Sequence, residues 1–119
     1  MQQYALIING EKVTTKDTFD IFNPSTGELV GKAPKATIDQ VNQAVNAAET
    51  AFITFSKTSD ETRQNYCNAI AEKLGEHADE LAKILTQEQG KPLNGLGSRW
   101  ELGGAQAWTG YTASLSLPV

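Results

Sequence analysis

Residues 22–52, FNPSTGELVGKAPKATIDQVNQAVNAAETAF, decide how this chain is built. Asn23-Pro24-Ser25-Thr26-Gly27-Glu28 reads as a polar turn, in which Pro fixes φ and Gly permits the reversal. It joins TFDIF (18–22) to LVGKA (29–33) and predicts a hairpin. The character changes at Pro34. Thr37 followed by Gln40 is a capping box, each side chain satisfying a free backbone N–H at a helix start. Ile38, Val41, Val45, Ala48, Phe52 and Phe55 then recur at spacings of three and four, which is one apolar stripe along a helix.

Toward the N-terminus, LIINGEKV (6–13) sets Asn9-Gly10 between short strand-like runs. Both residues tolerate positive φ, as a type I′ hairpin turn requires. Toward the C-terminus, Thr58 with Glu61 repeats the capping box and predicts a second helix. Its buried face is Tyr66, Cys67, Ile70 and Leu74, and it ends near Gly75. A third helix, about Glu76 to Gln89, carries Ala78, Leu81, Ala82 and Leu85 on one side. From Leu93 to about Ser114, Leu93, Leu96, Trp100, Ala107, Trp108 and Tyr111 keep a helical period. Gly95, Gly97, Gly103, Gly104 and Gly110 interrupt it, each costing on the order of 1 kcal/mol in a helix. Such a helix needs close packing to hold it. Leu117-Pro118-Val119 reads as the middle of a strand. The expectation is two short β-hairpins followed by about four α-helices, with more aromatic surface than so thin a core covers. The chain reads as part of a larger fold.

Composition narrows the function. The chain has 119 residues, 39% of them hydrophobic and 20% charged, the range of ordinary globular protein. A formal charge of −4 offers no basic patch to a phosphate backbone, so no nucleic-acid partner is expected. No apolar run approaches membrane-spanning length, and MQQYALIING lacks the basic and long apolar regions of a signal peptide. One cysteine excludes an internal disulfide framework and fits a reducing compartment; a cytoplasmic protein is expected.

The catalytic inventory is sparse. Cys67 falls on an apolar stripe with no basic residue at i±4 to lower its thiol pKa, so it reads as packing. His77, the one histidine, stands among Glu76, Asp79 and Glu80 with no second His or Cys nearby, and reads as a solvated residue. Gly95-Leu96-Gly97 begins a GxGxxG, but Trp100 occupies the third glycine's place and no strand precedes it. Gly90-Lys91 lacks the earlier Gly and the following Ser or Thr of a P-loop. No catalytic and no dinucleotide-binding residue is assigned in this chain.

Glu88 stands apart. In ILTQEQGKPLNG (84–95), Gly90 can take the left-handed conformation that stops a helix, and Pro92 cannot continue one. A carboxylate in that last turn opposes the helix dipole, at a cost of roughly 0.3–1 kcal/mol. Helix-end carbonyls with one carboxylate make an oxygen-rich negative pocket suited to a hard cation. Alternatively Lys91 pairs with Glu88, or the side chain reaches solvent.

The ordered set LIING–EKV, FNPSTGELVGKAPKAT, IDQVNQAVNAAETAF, Arg63 and ADELAKILTQEQGKPL resembles the N-terminal stretch of NAD(P)-dependent aldehyde dehydrogenases, over residues 5 to 115. The stretch NGLGSRWELGG departs from the Ala/Glu-rich helix start usual in that family. The resemblance implies an α/β parent enzyme, of which residues 1–119 are the N-terminal part of the cofactor-binding domain. It implies NAD or NADP as cofactor, a small-molecule aldehyde as substrate and a homo-oligomer of the full-length chain. The catalytic cysteine, glutamate and asparagine of the family lie beyond this segment, and the segment alone is expected to be inactive. The glycine-rich helix resembles the one lining the substrate tunnel and touching a subunit interface, which points to Trp100, Gly104, Trp108 and Tyr111. Many members hold a structural monovalent cation, Na⁺ or K⁺. The matching positions here are the Glu88 carboxylate and the backbone carbonyls of Phe22 and Ile21. The rival reading is a truncated, non-enzymatic helical module that pairs through its Trp100/Trp108/Tyr111 face.

Overall fold

A computed structural model describes residues 4–116. The element order is β1 (Leu6–Ile8), β2 (Glu11–Val13), β3 (Thr18–Phe22), β4 (Leu29–Pro34), α1 (Ile38–Phe55), α2 (Asp60–Glu76), α3 (Ala78–Gln89) and α4 (Ser98–Ala113). The expected pair of hairpins and four helices is therefore present. The strand expected at Leu117-Pro118-Val119 lies outside the described residues. The chain divides into two compact units, residues 1–23 with 27–57, and residues 24–26 with 58–119.

The first unit is built by its turns. Asn9 and Gly10 have φ of 53° and 78°, the two positive values of a type I′ turn, and β1 pairs antiparallel with β2 with Leu6 opposite Val13. β3 pairs antiparallel with β4, Thr18 opposite Pro34, with an irregular register between Ile21 and Phe22. Asp20 and Lys32, directly opposite in that pair, form a cross-strand ion pair. Gly27, at φ 75°, closes the connecting turn, its N–H donating to the Asn23 carbonyl at 2.8 Å.

The capping box of α1 forms as expected. The Gln40 N–H donates to Thr37 Oγ1 at 3.2 Å, and the Thr37 N–H donates to Gln40 Oε1 at 3.0 Å. The Gln40 amide also donates to the Thr14 carbonyl at 3.2 Å, tying the helix start to the chain after β2. Packing does not follow the apolar stripe. α1 has no buried residue; Ile38, Val41, Val45, Ala48, Phe52 and Phe55 are all exposed, while Gln40, Ala44 and Ala47 are half-buried. Periodicity identified the apolar face, and that face is exposed.

In the second unit α2 begins one residue later than expected. Ser59, not Thr58, is the N-cap, its hydroxyl accepting from the Thr62 N–H at 3.1 Å. The Thr58–Glu61 box does not form, because the Thr58 hydroxyl and carbonyl instead accept from the Arg63 guanidinium, which also pairs with Asp60. Of the face expected for α2, Cys67 and Leu74 are partly covered and Tyr66 and Ile70 are corrected. Tyr66 and Ile70 are exposed, whereas Cys67, Ala71, Leu74 and Gly75 are half-buried. α4 packs along α2, and its Gln106 amide lies 2.4 Å from where a Cβ on Gly75 would stand. Close approach thus selects the small residues of α2. Gln64 donates to the Leu115 carbonyl at 2.8 Å just past the end of α4.

α3 starts at Ala78, and Ala82 is fully buried with Ala78, Leu81 and Leu85 half-buried around it, the expected face. α4 starts at Ser98, so Leu93 and Leu96 belong to the turn before it. That turn is fixed by backbone bonds from the Ser98 and Arg99 N–H groups to the Pro92 and Leu93 carbonyls, at 2.9 and 3.1 Å. Ser98 is fully buried, its hydroxyl 2.8 Å from that of Thr86 in α3. Arg99 reaches back to Asp79 at 2.7 Å, and Lys83 meets the same carboxylate at 2.7 Å.

Two predictions follow from these contacts. A Cβ on Gly97 would stand 1.9 Å from the Pro92 carbonyl oxygen, which the turn holds in place, whereas one on Gly103 meets nothing within 4 Å. Gly97→Ala is expected to destabilise the unit by about 2 kcal/mol or more, and Gly103→Ala to stabilise it by roughly 0.5–1 kcal/mol; urea unfolding measures both. The hydrogen bond from Lys83, then that from Arg99, lowers the Asp79 carboxyl from 3.8 to about 2. A carboxyl depressed in the folded state contributes stability that is complete above its ordinary pKa and lost as pH falls through the folded value. Asp79→Asn is therefore expected to lower stability at neutral pH, with its gap from wild type closing between about pH 4 and pH 2, as thermal unfolding across that range would record.

Candidate functional site

The end of α3 is the most specific local geometry in the second unit. Gly90 takes φ 69°, and its N–H donates to the Thr86 carbonyl at 2.8 Å, which stops the helix. The Ser25 hydroxyl donates to the Gly90 carbonyl at 2.7 Å. A Cβ at Gly90 would lie 2.8 Å from Pro24 Cγ and 3.1 Å from the Ser25 nitrogen. Glycine is required here twice, for its φ and for the close approach of the Pro24–Thr26 segment.

Glu88 sits in that last turn, exposed, with no basic residue beside it in the helix. Lys91 does not pair with it; the Lys91 ammonium is engaged by the Glu101 carboxylate in the first turn of α4. Among the described residues Glu88 has no ion-pair partner, so of the two simpler alternatives the solvent-facing one is realised. Ile21 and Phe22 belong to the first unit, half-buried and exposed respectively. They flank the register irregularity of β3, where regular ladder pairing of backbone groups is interrupted.

Trp100, Gly104, Trp108 and Tyr111 follow one another at spacings of four, four and three, and so share a face of α4. All three aromatic side chains are exposed, Trp108 by 71%. The Trp108 and Tyr111 rings meet edge to face, with centroids 6.0 Å apart and planes at 87°. A Cβ on Gly104 would meet nothing within 4 Å, which leaves a notch between Trp100 and Trp108. The face is an exposed aromatic surface.

Cys67 is half-buried, as the packing reading expects. His77 is exposed, its Nδ1 3.5 Å from Glu80 Oε2. Among the described residues no three His, Cys, Asp or Glu side chains gather to hold a metal ion. Gly97 is buried against Pro92 and offers no open phosphate cradle. An open apolar hollow in the second unit is lined by Ile70, Leu74 and Leu81 with Lys73, His77 and Glu80. Its polar groups are spent on neighbours, Lys73 on Glu76 at 2.6 Å and His77 on Glu80. Sequence reading missed the Lys91–Glu101 pair and the buried Ser98–Thr86 hydroxyl contact. Their only local signals were an acid in a helix first turn and a serine at a helix start.

Comparison with known proteins gives one consistent answer. The residue profile of the aldehyde dehydrogenase family matches residues 12–115. A Pseudomonas protein named "Probable aldehyde dehydrogenase" is 40% identical over 115 residues, 97% of this chain and 23% of its own length. The crystal structure of an NAD-dependent aldehyde dehydrogenase from Sinorhizobium meliloti matches with a TM-score of 0.88 at 31% identity, covering 94% of this chain and 23% of that one. A betaine aldehyde dehydrogenase from Staphylococcus aureus, solved with NAD⁺, matches with a TM-score of 0.86 at 29% identity, covering 97% and 25%. The chain thus spans about a quarter of the length of these proteins. With the family profile matched over residues 12–115 and these likenesses covering nearly the whole chain, the chain belongs to the aldehyde dehydrogenase family.

Proposed function

We propose that this chain is the N-terminal part of the cofactor-binding domain of a cytoplasmic, homo-oligomeric aldehyde dehydrogenase. Its parent oxidises a small aldehyde to a carboxylic acid with NAD⁺ or NADP⁺. The observation that carries this reading is the family match over residues 12–115 at a quarter of the relatives' length. NAD⁺ in the Staphylococcus aureus relative supports a nicotinamide cofactor. By resemblance, a cysteine beyond this segment would serve the parent as nucleophile, and a bound nicotinamide cofactor would supply the hydride acceptor.

The residues of this segment do not fit a dinucleotide site. Gly97, the middle of the candidate glycine motif, is buried against the Pro92 carbonyl, and Gly90 is closed over by Pro24 and Ser25. Nor do they offer a nucleophile with its base. Their proposed role is structural: to supply the hairpins and helices around the nucleotide-binding core, and to present the Trp100, Gly104, Trp108 and Tyr111 face toward the substrate tunnel or a neighbouring subunit. Exposed aromatic side chains on one helix face support that placement.

The cation reading belongs to the same proposal. Glu88, with the backbone carbonyls of Phe22 and Ile21, holds a structural Na⁺ or K⁺ in the parent enzyme. A carboxylate and carbonyls are hard oxygen donors suited to such an ion. Support comes from the exposed Glu88 carboxylate, from Lys91 being committed to Glu101, and from the break in the β3 ladder beside Phe22.

Two measurements test these statements. The purified 119-residue chain is expected to produce no NADH or NADPH from any aldehyde, and a rate above the buffer blank would overturn the inactive-segment reading. In the full-length enzyme, replacing choline chloride by KCl or NaCl at equal ionic strength is expected to raise Tm by about 2 °C or more, by linkage to cation binding. Glu88→Gln is expected to abolish that increment. An equal response in wild type and variant would remove Glu88 from the cation's ligands.

A further inference from the structure

Asn-Gly occurs twice in the chain, at 9–10 and at 94–95, and the two pairs stand in opposite settings. Asn9-Gly10 is the loop of a hairpin, with Asn9 held at φ 53° between the paired residues Ile8 and Glu11. Asn94-Gly95 lies in the bend between α3 and α4, at the start of the stretch NGLGSRWELGG that departs from the family pattern. That bend is closed outside the pair, by the Ser98 and Arg99 N–H groups on the Pro92 and Leu93 carbonyls. Among the described residues no backbone hydrogen bond engages the Gly95 N–H, and a Cβ on Gly95 would meet nothing within 4 Å. The Asn94 amide, by contrast, is held. Its Oδ1 accepts from Arg99 Nη1 at 2.5 Å, and the same guanidinium is anchored through Nη2 on Asp79 Oδ1 at 2.7 Å. We propose that Asn94 is a site of self-modification, where the Gly95 nitrogen closes on the side-chain amide and converts it to an acid.

The step needs only water. The Gly95 nitrogen attacks Asn94 Cγ, and the new C–N bond closes a five-membered imide. The Cγ–Nδ2 bond breaks, and ammonia leaves with the proton that the Gly95 nitrogen gives up. Water then opens the ring at either carbonyl, leaving aspartate or isoaspartate. Negative charge develops on Oδ1 during the attack, and the guanidinium already bonded to that oxygen stabilises it without having to reorganise. Asp79 keeps the guanidinium in place. Glycine suits the attacking position because no Cβ crowds its nitrogen. At Asn9 the same ring must eclipse the Gly10 nitrogen with the Asn9 Cβ, which a left-handed residue reaches only by turning ψ through roughly half a circle. That rotation would unpair Ile8 from Glu11, whereas no backbone hydrogen bond of Asn94 or Gly95 themselves opposes it. The products bear on the fold. A carboxylate at position 94 shares Arg99 with Asp79, and isoaspartate adds a backbone atom inside the loop that sets Ser98 and Arg99 on Pro92 and Leu93.

The test ages the protein, purified at the length its own cells make it, in mildly alkaline buffer, folded or in urea. Peptide mass mapping reads the loss of amide at Asn94 and Asn9, and an endoprotease that cleaves before aspartate distinguishes aspartate from isoaspartate. In urea, where only the shared dipeptide counts, the two sites are expected to convert at similar rates. In the folded protein Asn94 is expected to convert about tenfold faster than Asn9, or more. Arg99→Gln, checked for folding by circular dichroism, is expected to slow Asn94 by about tenfold, within the worth of one preorganised donor, and to leave Asn9 unchanged. Asp79→Asn, which loosens the guanidinium without removing it, should slow Asn94 in the same direction. An Asn94 amide that persists in the folded protein, or converts no faster than Asn9, overturns the site. Conversion that both variants leave alone or quicken overturns the part given to the guanidinium, whose bond would then be a restraint. None of these results touches the family assignment.

Discussion

With so little apolar burial, this chain depends on the hydrogen bonds that end its helices and turns. Among the described residues Ala82 and Ala113 are the only buried apolar side chains, and neither brings much surface out of water. Each element is instead pinned where its backbone changes direction. The Asn9-Gly10 turn, the Thr37–Gln40 box, the Ser59 cap and the left-handed Gly90 each satisfy backbone groups that a helix or strand end leaves open. In the second unit the turn between α3 and α4 is held from both sides, by Gly97 against the Pro92 carbonyl and by the Ser98 hydroxyl against Thr86. Hydrogen bonds of this kind contribute about 1 kcal/mol each net. They specify local geometry well and supply little of the stability that a buried core gives.

That division explains what was legible in the residues alone. The hairpins and the start of α1 were readable because their causes lie within a few positions: Asn9 beside Gly10, Thr37 three residues before Gln40. The start of α2 was misplaced by one because Thr58 and Ser59 are both good caps, and the choice fell to Arg63, whose guanidinium takes the Thr58 oxygens. Half of the expected face of α2, Tyr66 and Ile70, is exposed for a different reason. Size and hydropathy favoured Tyr66 and Ile70, whereas α4 approaches closely over Gly75. Periodicity marks which face of a helix is apolar, but only the neighbours determine whether that face is covered. α1 shows the difference most plainly.

The candidate site divides along the same line. Glu88 was singled out by an electrostatic anomaly within one helical turn, and it is exposed and without an ion pair among the described residues. The pairing of Lys91 with Glu101 was not legible, because it depends on how the chain from Pro92 to Gly97 folds back. The aromatic face of α4 could be listed from spacing, but its exposure could not. The apolar face of α1, the aromatic face of α4 and the Glu88 carboxylate are all exposed among the described residues. The Pseudomonas and Sinorhizobium meliloti relatives are about four times as long as this chain.

The central claim is that these residues form one part of a larger aldehyde dehydrogenase subunit. A denaturing gel of the source cells, probed with an antibody raised to residues 58–116, tests it most directly. A band roughly four times the 12.8 kDa of this chain is the predicted result. A single band at 12.8 kDa would contradict the account.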